Sequence, residues 1–145
     1  MKGRIIPEEN IEQKIFIIRG QKVMLIPHLA KFYNIPSEVL LQSVKRKFKW
    51  FPQGFIFQLA WEEVNSVRSQ LASPLSSQGN RQIKSLPYAF TEQGVAMLLS
   101  ILKSRRAIQT SITIMKVFIR LREEDLLESE YLKDVIHNLM DESLP

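Results

Sequence analysis

The 145 residues contain no cysteine, which excludes a disulfide framework, a thiolate metal site and a cysteine nucleophile. Histidine is scarce as well: His28 follows Pro27, His137 lies in an acidic stretch, and neither has companions at ligand spacing, so no metal and no cofactor is expected. No apolar run approaches the ~18 residues that span a bilayer. The opening MKGRIIPEEN lacks the continuous apolar core of a secretion signal, so an intracellular, cytoplasmic protein without a membrane partner is expected. Gly-rich phosphate loops and a nucleophile elbow are missing too. Glu62 and Glu63 are adjacent, roughly 100° apart on a helix, and form no acid/base pair by themselves. No catalytic residue and no small-molecule substrate is predicted; a binding function is expected.

Acidic residues are also missing from most of the chain. Residues 1–122 hold 19 Lys/Arg against 7 Asp/Glu, whereas residues 123–145 hold Lys133 against 8 acids. A body of net +12 favours a polyanion, because neutralised phosphates release counterions, and the acidic remainder argues against nucleic-acid contact there. The length and the 45% apolar content suit one domain with a real core.

The pattern along the chain predicts an α+β fold: a helix-turn-helix-like pair beside a small antiparallel sheet, followed by a long C-terminal helix. Residues 1–12 are expected as a loose arm, 13–122 as the folded domain, and 123–145 as an acidic helical tail serving as dimerisation arm or linker. KIFIIRGQKVMLI (14–26) reads as two β-runs turned at Arg19-Gly20, where glycine permits positive φ. Pro27 suits the first turn of a helix carrying Leu29, Ala30 and Tyr33 on one face. Asn34 and Pro36 end it. A second helix is expected with Ser37 as N-cap, running to about Phe48 with Leu40, Val44 and Phe48 inward. Its opposite stripe is Glu38, Gln42, Lys45 and Lys49, flanked by Arg46 and Lys47. One face docks and the other offers an amide for a base edge and cations for phosphates, as a recognition helix requires. Ser37, Gln42, Lys45, Arg46, Lys47 and Lys49 are therefore candidate DNA contacts; a solvated basic face is the plain alternative.

Trp50-Phe51-Pro52 is expected to plug the core. FIFQL (55–59) reads as a strand, and residues 62–71 as a helix using Val64, Val67 and Leu71. The Ser/Gly/Pro-rich loop 72–85 carries Arg81 and Lys84 and is either a wing along a nucleic-acid backbone or a connector. LPYAF (86–90) is strand-like. Thr91 caps a following helix on which Val95, Leu98, Leu99 and Leu102 make an apolar stripe with small Ala96 beside it. Lys103, Arg105 and Arg106 fall near its expected end, where they complement the helix dipole or hold phosphates. Residues 105–122 read as a strong helix with a stripe Ile108, Ile112, Met115 and Ile119. Leu132, Val135 and Leu139 keep helical spacing beyond it, so a homodimer through residues 105–140 is a further expectation.

Several blocks in order resemble the ORF6N domain, related to the KilA-N and Bro-N domains of phage, viral and prophage-derived proteins: IRGQKVML (18–25), LAKFYNI (29–35), VKRKFKWFPQGFIFQL (44–59), LPYAFTEQGVAMLLSILKSRRAI (86–108) and ITIMKVFIRLR (112–122). The resemblance covers residues 11–122, with LPYAFTEQGVAML the most specific piece. It implies a double-stranded-DNA-binding module of antirepressor-like or transcription-regulating proteins. The chain departs from the family where relatives carry an acidic residue near Ile26, Asn at the positions of Leu41 and Lys47, and a Gly-Arg-rich segment at 79–81. The alternative function is a protein-interaction module that captures a repressor or partner subunit without touching DNA. RNA is the weaker polyanion, since no aromatic platform with basic interleaving stands out.

Overall fold

The computed structural model describes residues 6–71 and 86–143. Four strands form one antiparallel sheet in the order β1-β2-β4-β3. β1 (Ile15–Ile18) and β2 (Gln21–Leu25) meet through a two-residue turn, with Ile18 opposite Gln21. Both turn residues are left-handed, Arg19 at φ 55° and Gly20 at φ 73°. That pair of positive φ values matches the right-handed twist of the flanking strands. Arg19 is held in this unusual state from outside. Its guanidinium donates to both carboxylate oxygens of Glu63 at 2.7 and 3.1 Å and lies 4.2 Å from the Phe57 ring centroid. The bond from Arg19 keeps the Glu63 carboxyl below the usual carboxylate range.

β4 (Tyr88–Thr91) fills the sheet between β2 and β3 (Ile56–Gln58). Side-chain alternation sends Met24 and Phe90 to one face and Val23, Leu25 and Ala89 to the other, and all five are buried. Both faces are therefore covered. α4 (Trp61–Leu71) closes one with Val64 and Val67; the side chain of Leu71 lies outside the described residues. The second face carries the larger core, supplied by α1 (Glu8–Glu12), α2 (Ile26–Tyr33), α3 (Ser37–Lys45), α5 (Glu92–Met97) and α6 (Arg105–Ser143). The predicted α+β architecture stands.

Several local expectations are corrected. The loose arm expected over residues 1–12 is, from Glu8 on, a one-turn helix whose Ile11 is fully buried beside α6. Ser37 does not cap α3: Pro36, already extended at φ −63° and ψ 144°, takes the N-cap position, and Ser37 becomes the first helical residue. α3 stops at Lys45, and residues 48–50 form a separate 3₁₀ turn that leaves Phe48 38% exposed against the edge of Tyr88. Trp50 is no core plug but is 66% exposed.

The loop 72–85 lies outside the described residues. On α6 the buried face is Ala107, Thr110, Ser111, Ile114, Val117 and Phe118, whereas Ile108, Ile112 and Ile119 of the stripe read from the spacing are exposed. The small residues admit α2, and the Tyr33 hydroxyl meets Ser111 Oγ at 2.5 Å inside the core. Burial pushes the Tyr33 phenol up to about 12.

One knot ties sheet, loop and helix together at Phe55. Its carbonyl accepts from the Thr91 amide and from Thr91 Oγ1, both at 3.1 Å. Thr91 Oγ1 in turn accepts from the Gly94 amide at 3.2 Å, so the predicted N-cap of α5 is present. A Cβ at Gly94 would sit 2.3 Å from the same carbonyl oxygen.

Candidate nucleic-acid interface

α2 and α3 are the predicted helix pair. Asn34, left-handed at φ 60° and ψ 45°, turns the chain between them, and the Ile35 amide returns to the Ala30 carbonyl at 3.0 Å. Leu40 and Val44 are completely buried in the large core and fix which side of α3 faces out. On that outer side Ser37, Glu38, Gln42 and Lys45 are all exposed. Arg46 follows as the C-cap residue and Lys47 leads into the 3₁₀ turn holding Lys49, so the cationic stripe continues past the helix end through a second, tighter turn. Positive charge at the end of α3 also complements its dipole.

Among the described residues, none of Lys45, Arg46, Lys47 and Lys49 forms an ion pair. Lys14, Lys31, Lys103, Arg105, Arg106 and Lys116 are likewise without an ion pair among the described residues, whereas four cations are neutralised. Arg19 is bound to Glu63, Lys22 to Asp125, Arg122 to Glu92, and Arg120 to Glu8, Glu12 and Glu124. The acids that offset the hairpin and the long helix are missing around the end of α3.

Sequence reasoning missed three neighbours of this stripe. Val39, Phe48 and Trp50 are each exposed, at 47%, 38% and 66%. Trp50 has Lys49 beside it in sequence and Lys47 three residues before, a signal that core plugging hides because aromatic residues are usually inside.

Arg105 and Arg106 open the helix expected from residue 105, so they do not sit at the C-terminal end of the one before it. The helix begun at Thr91 ends at Met97, followed by a 3₁₀ turn over 98–100, and the two arginines open α6 instead of closing its predecessor. Ser104 Oγ caps this start, accepting from the Ala107 amide at 3.1 Å. Cations at the positive end of a helix are opposed by the dipole, so helix stabilisation no longer accounts for them. Both are exposed and open to anions. Arg81 and Lys84 lie outside the described residues.

A shallow cleft of about 190 Å³ lies apart from α3, lined by Asn10, Gln13, Lys14, His28, Lys31 and Phe32. Burial, with Lys14 and Lys31 adding to it, lowers His28 to about 4, so the imidazole is neutral near pH 7. No group of His, Cys, Asp or Glu among the described residues could hold a metal ion, and no helix there is long and apolar enough to cross a membrane.

The profile of the ORF6N domain family matches residues 13–101, a span that holds the hairpin, α2, α3, the whole sheet and α5 and stops before α6. No curated protein and no solved structure matches the chain.

Proposed function

The chain belongs to the ORF6N domain family, and from that premise we propose that it is a non-catalytic module of a phage-type regulator that binds duplex DNA through α3 and the turn that follows it. The observation that carries this reading is the density of the run Lys45, Arg46, Lys47 and Lys49: four exposed cations in five residues, with no ion pair among the described residues. Gln42 on the same face is the group suited to a base edge, since its amide both donates and accepts. Trp50 adds an apolar surface for sugar or base contact. Arg105 and Arg106 are secondary phosphate contacts. Cations set affinity and orientation here, whereas the single amide gives limited selectivity.

Replacing Lys45, Arg46 and Lys49 with alanine is expected to weaken duplex binding and to flatten the log–log salt dependence by ~1 for each phosphate that is no longer neutralised. Replacing Gln42 with alanine is expected to narrow the spread of affinities across different duplexes while leaving the salt slope in place. The measurement is fluorescence anisotropy at several salt concentrations. Unchanged affinity and slope in the triple variant would overturn the assignment and favour the protein-interaction reading.

A further inference from the structure

The exposed apolar surface of the described residues is concentrated on α6, all of which lies beyond the matched family span. Besides the face packed in the core, the helix has an exposed face on which apolar residues are interrupted by Arg122, Ser129 and Lys133, with Met115 partly buried at its edge. Ala107, Ile114, Val117 and Phe118 are used up in the core. The second face runs Ile108, Ile112, Met115, Ile119, Arg122, Leu126, Ser129, Lys133, Ile136, with the spacing reaching Met140. These positions alternate by four and three, the 3.5-residue repeat that keeps a seam facing a second helix. Ile112, Leu126 and Ile136 are 45%, 60% and 56% exposed. The Lys22–Asp125 and Arg122–Glu92 ion pairs tie the middle of α6 to the body, and residues 126–143 continue about 27 Å beyond them. A solvated helix with that many apolar side chains is a poor free-standing structure.

We infer that α6 pairs antiparallel with α6 of a second copy of this chain, the basic first half of each lying along the acidic second half of the other. Charge decides both occupant and direction. The first half exposes Arg105, Arg106 and Lys116, none with an ion pair among the described residues; the second exposes Glu128, Glu130, Asp134 and Asp141. A parallel pair would lay one acidic tail on the other and stack Arg122 on Arg122 and Lys133 on Lys133 inside the seam. The antiparallel pair removes each of these clashes. Because the four-three spacing reads the same in reverse, Ile112 falls opposite the partner's Ile136, Ile119 opposite the partner's Ser129, and Met115 beside the stem of the partner's Lys133. Lys116, flanking the seam, comes alongside the partner's Glu130, and Arg106 comes near the partner's Asp141. Such an interface is isologous, so it closes as a dimer. Leu127, Tyr131, Leu132, Val135 and Leu139 fall outside this seam and stay uncovered by it.

The absence of cysteine makes a direct test available. The full chain is expected to sediment as a dimer at micromolar concentration. Mixing an Ile112→Cys chain with an Ile136→Cys chain under mild oxidation is expected to give the mixed cross-link in excess over either self-cross-link, since only opposed seam positions bring Cβ atoms within disulfide reach. Ile136→Glu, on a helix turn that the body does not touch, is expected to raise the dimer dissociation constant about tenfold or more. Lys116→Glu is expected to weaken the dimer, and combining it with Glu130→Lys to restore it. A monomer at tens of micromolar overturns the inference, and so does a dominant Ile112→Cys self-cross-link, which requires parallel helices. None of these outcomes depends on DNA binding.

Discussion

A single carbonyl, that of Phe55, takes two hydrogen bonds from Thr91 and leaves no room for a side chain at Gly94. Helix propensity alone says that alanine at Gly94 should stabilise α5 by about 1 kcal/mol. The backbone oxygen 2.3 Å from the would-be Cβ reverses the sign. Gly94→Ala is expected to cost about 1–3 kcal/mol, as overpacked sites do. Thr91→Val, of equal volume, removes the cap and one bond to Phe55 and is expected to cost about 1–2 kcal/mol. Urea unfolding checks both, and a stabilised Gly94→Ala would contradict the geometry. Asn34 and the Arg19-Gly20 turn were legible in sequence because each acts through its own backbone, and Thr91 because its hydroxyl caps an amide three residues on. Ser37 and Trp50 were not: what displaced them, an extended Pro36 and an early end to α3, is settled by packing of the neighbouring turn.

His28 gives a second test at this scale. The imidazole is lowered to about 4 in the fold from an ordinary 6.5, chiefly by burial. Between those values the unfolded chain binds the proton and the folded chain does not. Stability is therefore full above about pH 6.5 and is lost as the pH falls towards 4, by on the order of 2–3 kcal/mol. His28→Leu is expected to flatten the fall in melting temperature between pH 7 and pH 5. A variant that tracks the native chain across that window would show that the ring titrates normally.

At the scale of elements, α6 shows where periodicity stops. The four-three-four stripe Ile108, Ile112, Met115 and Ile119 marked a real apolar face, but the core took the neighbouring one, where Ala107, Thr110 and Ser111 permit close approach of α2. Small and hydroxylated residues count as polar in a pattern, yet Ser111 is fully buried because the Tyr33 hydroxyl satisfies it. Two apolar faces on one helix cannot be ranked from spacing alone; the partner elements rank them. Ile114→Ala is expected to lower unfolding free energy by about 2–5 kcal/mol. Ile119→Ala, measured at a protein concentration where the chain is monomeric, is expected to stay within about 0.5 kcal/mol. Equal destabilisation at the two positions would mean that the inward face is wrongly assigned. The strands were easier to place, since the continuous apolar run Val23, Met24 and Leu25 follows directly on the Arg19-Gly20 turn that fixes the hairpin.

For the whole molecule, charge was the most legible property and its use the least. The excess of cations over residues 1–122 is plain in composition. Which of them are free is a fact of the fold: Arg19, Lys22, Arg120 and Arg122 find acids as far as 108 residues away in sequence, while the run after α3 finds none among the described residues. Sequence thus named the candidate cations, and only the arrangement of acids separated neutralised ones from available ones. The same holds for Arg105 and Arg106, which open α6 and so lack the dipole role that the end of the preceding helix would give them.

The strand order carries a consequence for how the chain assembles. β2 meets β1 across two residues, but its other edge is completed by β4, which arrives roughly 70 residues later and must first close a long loop. As the chain leaves the ribosome, the β1–β2 hairpin and the α2–α3 pair have only local contacts to make. Until Tyr88–Thr91 is synthesised, Val23, Met24 and Leu25 present an open, apolar strand edge, and α2, on which the cation-bearing helix packs, rests on an unfinished sheet. The last strand to arrive, inserted between two already made, therefore decides when the basic face acquires a fixed shape.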